Sequence, residues 1–169
     1  MRDTERASLA ILEATPAVLR ELVAGLPGEI VAANLDRDWS IKRIVAHMAD
    51  VDDAAFASRL RRIVEEDAPQ LPSIDPLARL DAMDWPSYSV GSLLDSLRDG
   101  RATSTGWLRG LPDEALQRRG RHDAAGELTA SNLLHYWAYH DLAHLRGIQR
   151  MVQSVLIHET AGISETMDV

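Results

Sequence analysis

Apolar positions recur at helical spacing in four long stretches of this chain. The first covers about residues 5–24 and carries Leu9, Leu12, Val18, Leu19 and Leu22; Pro16 inside it is expected to kink or split the helix, and Pro27 with Gly28 close it. Ser40 is placed to cap a second helix, whose apolar stripe is Ile41, Ile44, Val45, Met48, Val51, Ala55, Phe56, Leu60 and Ile63. Ser89 caps a third, with Leu93, Leu94, Leu97 and Trp107, that ends near Gly110 and Pro112, and Thr129 caps a fourth. Between the second and third lies a proline-rich stretch, 67–88, too long for a simple bundle turn; loops of this kind often line a site. No β alternation of useful length is found, although 156–163 is ambiguous, and a weak tail follows from Gln153. Four amphipathic stripes at this length are buried together in an all-α fold, a four-helix bundle with a long loop between helices 2 and 3. Residues 1–169 read as a single domain, of which about 154–169 form a C-terminal tail.

The fourth stripe holds the most telling positions. Leu133, Trp137, His140, His144, Ile148 and Met151 are spaced as one buried helix face, yet two of them are histidines. Four residues apart, His140 and His144 stack one turn above the other, close enough to share one metal ion. Burying two imidazoles without partners is costly, so either a metal or a polar network is expected to compensate. A metal needs a further ligand from another element, and His47 supplies it from the flank of the second stripe. Three neutral imidazoles suit a borderline divalent ion such as zinc, nickel, iron or cobalt, and three protein ligands leave positions open for water or substrate. His135 lies about half a turn from that face, His122 sits in a basic loop and His158 in the tail, so none of these is expected to be a ligand.

Composition narrows the function. A formal net charge of −8 argues against a nucleic-acid partner, and the short basic clusters Arg59, Arg61, Arg62 and Arg118, Arg119, Arg121 read as solvated surface. The apolar runs are far too short for a membrane span, and the N-terminus bears charges of both signs where a signal peptide would be apolar, so cytoplasmic residence is expected. Cysteine is absent, which removes disulfides and any protein-borne thiol nucleophile.

The run from Trp39 through Ser40, Ile41, Ile44 and His47 to Asp50 resembles the second-helix motif of the DinB-like (DinB/YfiT) metal-binding superfamily. So does the later stretch Gly126, Glu127, Leu128, Thr129, Asn132, Leu133 followed by His140, Asp141 and His144. The resemblance extends from the first helix to about Met151. It implies a four-helix bundle with a three-histidine divalent metal site, here His47, His140 and His144. Characterised members of that superfamily include S-transferases and isomerases that use low-molecular-weight thiols such as bacillithiol, mycothiol or glutathione, and dimers are common. A metal-dependent transferase acting on a small electrophilic substrate, as a homodimer, is therefore the expectation.

Two other outcomes stay open at this stage: a metal-dependent hydrolase, and a non-catalytic metal-binding stress protein whose histidines hold the bundle together. A hydrolase would benefit from a carboxylate base, and Asp50 and Asp141 are nearest in sequence to the ligands. Asp141, about 100° round the helix from His140, reads as surface or as support for the ligands rather than as a base. Tyr136, Tyr139, Trp85 and Trp107 are candidates for a pocket wall, against the plainer reading of Trp107 and Trp137 as core. Arg146 could meet an anionic thiol's carboxylate, although surface placement is the simpler expectation.

Overall fold

A computed structural model describes residues 1–157. In chain order its elements are α1 (Asp3–Ala24), a one-turn α2 (Gly28–Ala32), α3 (Ile41–Val51), α4 (Ser58–Glu65), β1 (Gln70–Leu71), α5 (Pro76–Ala82), α6 (Val90–Arg109), β2 (Arg119–His122), β3 (Gly126–Thr129) and α7 (Ala130–Leu156). A π-helical turn, Asp52–Ala57, joins α3 to α4, so the two make one long helix. The fold is mostly helical and is a four-helix bundle, as expected. The predicted caps form: Ser40, Ser89 and Thr129 each accept a backbone N–H three residues on. Around the bundle the neighbours run α1, α6, α3, α7, which leaves α1 and α3 across the diagonal.

Three features add detail to the expected bundle. First, beside the helices a small sheet in the order β1-β2-β3 forms, with β1 and β2 parallel and β2 and β3 antiparallel. Gly120 lets this sheet approach α4: a Cβ there would lie 3.0 Å from Ile63 Cγ1 and 3.2 Å from Leu71 Cδ1. Second, Pro16 does not split α1. Proline lacks the N–H that the Leu12 carbonyl would accept in a helix, and Arg101 Nη1 supplies the missing donor from α6 at 2.8 Å. Third, α7 continues through Leu156, past the expected start of the tail; His158 and most of 156–163 lie outside the described residues.

Two apolar cores divide the bundle lengthwise. One holds Leu9 and Leu12 of α1, Leu60 of α4, Leu108 of α6 and Trp137 of α7; the other holds Leu19, Met48, Leu97 and Ile148 of the same long helices. Each helix therefore passes from one core to the other through a short polar interval. Those intervals carry Thr15 in α1, His47 and Asp52 in the α3 helix, Arg101 in α6, and His140, Asp141 and His144 in α7. They meet as a polar layer at the waist, and the candidate chemistry lies there.

Candidate metal centre

Three imidazoles converge in this layer. His140 Nε2 is 3.3 Å from His47 Nε2 and 3.1 Å from His144 Nε2, and one nitrogen of each ring lies within 4.8 Å of the others. With metal–imidazole bonds of about 2.0–2.1 Å, ligand nitrogens stand about 3.0 Å apart at a right angle and about 3.4 Å apart at a tetrahedral one. The two short spacings match that range. A self-contained imidazole network would satisfy both nitrogens of each ring, whereas Nδ1 of His47 and of His140 is buried without a hydrogen-bond partner among the described residues. Burial, followed by the neighbouring His144, His47 and Arg101, holds His140 down to about 3; burial and His47 hold His144 down to about 4. Burial also lowers His47, against the pull of Asp50. All three rings are thus neutral near pH 7, the state a metal ion requires of them. Packing orients two of them: Trp39 sets its edge against His47 at 5.7 Å, and Phe56, stacked on Trp137, lies 5.1 Å from His140.

Directly behind the rings lies a buried ionic network. Arg101 donates through Nε and Nη2 to Asp52 Oδ1 at 2.9 and 2.6 Å, and through Nη1 to Asp141 Oδ2 at 2.6 Å, while Trp137 Nε1 adds a bond to Asp52 at 3.2 Å. Burial pushes Asp52 up to about 6 and raises Asp141 as well, with Arg101 opposing in both cases. The π turn carries both contacts: Asp52 at its start meets Arg101 of α6, and Phe56 near its end meets His140. On the other side of the rings a cavity of about 520 Å³ opens along His47 and His140, with an apolar wall that includes Phe56, Ile74 and Leu128.

A family model for the DinB superfamily matches residues 11–148. The chain belongs to the DinB superfamily. A search of curated proteins gives no match. Among solved structures, YfiT from Bacillus subtilis is similar at a TM-score of 0.84 and 20% identity, over 92% of this chain and 89% of that one; it is described as a probable metal-dependent hydrolase with an unusual four-helix bundle topology.

Against this DinB-superfamily fold the remaining expectations sort clearly. The structure brings His47, His140 and His144 together and sends His135 elsewhere, to Ser8 at 2.8 Å. Asp50 is held by both Nε and Nη2 of Arg79 in α5, at 2.9 and 2.7 Å, and Asp141 is held by Arg101. Of the two placements expected for Asp141, surface or support for the ligands, it takes the buried one, beside His140 and bonded to Arg101. Of the four proposed wall aromatics only Tyr136 lines the cavity. Tyr139 stacks on Tyr136 outside it, Trp85 lies under Lys42 and Trp107 under Arg61. Arg146 is exposed, as expected.

Two basic residues read as solvated are structural. Arg118 donates to the carbonyls of Ile63 and Glu66 at the end of α4, and Arg59 donates to Ala55 and Pro72 and lines the cavity. His122, set aside as a loop residue, also lines the cavity, and the proline-rich crossover contributes Ile74 and Pro76. The signal for His122 was the turn after it, where Gly126 takes a positive φ of 74° to close a hairpin. Among the described residues no helix is long and apolar enough to cross a membrane.

Proposed function

We propose that this chain is a divalent-metal-dependent enzyme in which His47, His140 and His144 hold the ion, and in which a low-molecular-weight thiol is transferred to a small, largely apolar electrophile bound in the adjoining cavity. One observation carries it. The carboxylates beside the ligands are both committed to arginines, Asp50 to Arg79 and Asp141 to Arg101, and the chain has no cysteine. Among the described residues neither a free carboxylate base nor a thiol nucleophile stands at the rings, and in this reading both come with the ion and a small molecule. A divalent ion supplies that chemistry by lowering the pKa of a thiol or a water that joins it.

The chain's own residues do the rest. Three neutral rings present their Nε2 atoms to one point, Trp39 and Phe56 pack against two of those rings, and the apolar wall gives an apolar substrate a surface beside them. Ligand type does not choose among zinc, nickel, iron and cobalt. The same reading takes the molecule as a cytoplasmic homodimer.

A second reading, hydrolysis with water as the nucleophile, is supported by the likeness to YfiT, described as a probable metal-dependent hydrolase. A panel of small thiols against electrophiles, run with metal-loaded protein, separates the two. Conjugation that needs both ion and thiol and disappears in His144→Ala supports the transferase. Turnover without thiol replaces it with the hydrolase, and no turnover on any substrate leaves a metal-binding protein without catalysis.

A further inference from the structure

Apart from the histidines of the triad, the polar side chains lining the cavity are Arg59, His122, Asn132 and Tyr136. Their bonding leaves them with donors to offer. Asn132 Oδ1 accepts the backbone N–H of Thr129 at 3.0 Å and its hydroxyl at 2.8 Å. A backbone N–H must meet oxygen, so the amide orientation is fixed and Nδ2 carries two N–H groups that bond to nothing among the described residues. His122 Nδ1 accepts the N–H groups of Ala124 and Ala125 at 3.1 and 3.2 Å. The ring proton therefore sits on Nε2, which likewise has no partner among the described residues. Arg59 has no lone pair to give; two of its N–H groups are anchored on the Ala55 and Pro72 carbonyls, and the others remain. Tyr136 can act either way. No Asp or Glu is among the lining residues; the nearby Asp123, whose charge acts on Arg59, accepts the backbone N–H of Ser73 at 3.1 Å.

A molecule in this cavity thus meets the N–H donors of Arg59, His122 and Asn132 as well as the proposed ion at His47 and His140, and both ask it for lone pairs. We propose that the substrate is an apolar molecule bearing a carboxylate, which Arg59, His122 and Asn132 grip by charge-assisted hydrogen bonds while the apolar body rests on Phe56 and Leu128. A primary ammonium of the same shape is rejected, since it brings donors to donors and a positive charge to Arg59. This assignment rests on the cavity being the substrate site of the enzyme proposed above.

The test uses metal-free full-length protein, because an ion would itself attract a carboxylate. Titration with 3-phenylpropanoate and with 3-phenylpropylamine, followed by calorimetry or NMR shifts, compares two ligands of similar apolar body. The carboxylate is expected to bind at least tenfold more tightly than the amine. His122→Phe, which keeps a ring, and Arg59→Met, at a separate point on the wall, are each expected to weaken the carboxylate at least fivefold, with zinc uptake and melting temperature reporting that each variant is folded. Equal binding of the two ligands, preference for the amine, no binding of either, or indifference to both substitutions overturns the assignment. If the carboxylate preference holds but the protein takes up no metal, the enzyme reading falls while the cavity's ligand class stands. If metal is bound but the preference is absent, the reverse is true.

Discussion

His140 and Asp141 are neighbours in α7, yet they belong to two buried polar clusters of opposite kinds. Asp141 joins a network in which Arg101 bonds two carboxylates and the Leu12 carbonyl, and in which Trp137 adds a donor to Asp52. It links α1, the α3 helix, α6 and α7, and its charges are paired within the protein. His140 joins a cluster in which, among the described residues, the Nε2 atoms meet only one another and two of the Nδ1 atoms are buried without a partner. A satisfied buried cluster holds helices in register; an unsatisfied one is built around something the chain does not itself contain.

The comparison breaks most visibly at Arg101. Arg101→Met leaves two buried carboxylates unpaired and is expected to cost about 3–5 kcal/mol in urea unfolding. A loss below about 1 kcal/mol would mean that the network does not hold the waist together.

The histidine cluster should show itself in the pH dependence of the metal-free protein. Burial keeps His140 near 3 and His144 near 4, well below the ordinary value of 6.5. As pH falls the unfolded chain takes up protons first, so stability due to the two neutral rings is full above about 6.5 and is lost on the way down toward 4 and 3. Asp52, raised to about 6, acts the other way: between 3.8 and 6 the folded state holds the extra proton. Comparison with the His140→Ala, His144→Ala double variant subtracts that term. Between pH 6 and 5 wild type should lose stability more steeply than the variant, approaching about 1.4 kcal/mol per pH unit for each ring. Parallel curves would show that the rings titrate normally and are not buried as described.

The smallest effect belongs to Pro16. Because Arg101 already serves the Leu12 carbonyl, Pro16→Ala should change stability by less than about 1 kcal/mol in wild type. In the Arg101→Met background the alanine N–H should recover part of the loss, a coupling that a double-mutant cycle reads directly. Additive effects would separate Pro16 from the network.

Much of this architecture was legible in the chain. Four stripes with Ser40, Ser89 and Thr129 as caps gave the bundle, and histidines at stripe positions gave the three rings, because helical periodicity is a strong local signal. What remained hidden depends on tertiary context. Asp52 falls at stripe spacing, four residues after Met48, but a carboxylate there gains its partners only when Arg101 and Trp137 are brought to it from other helices, and nothing in the apolar spacing announces the π turn that starts at it. Arg101 falls at the spacing of Leu94, Leu97 and Leu108, and its role appears only when the Leu12 carbonyl freed by Pro16 and two aspartates from other helices are brought to it. Asp141 seemed to face away because one stripe was assumed, whereas α7 packs against both α1 and α3 and is covered on two sides. The β2–β3 hairpin consists largely of charged and polar residues, so its pairing left no alternation to read, and His122 went unnoticed with it.

Elemental analysis of untagged protein, beside His140→Ala and His144→Ala, tests the central claim most directly. Close to one divalent ion per chain in wild type, and almost none in either variant, is the predicted result. A wild-type protein that carries no metal and takes up none at micromolar zinc or nickel would contradict the assignment of His47, His140 and His144 as ligands.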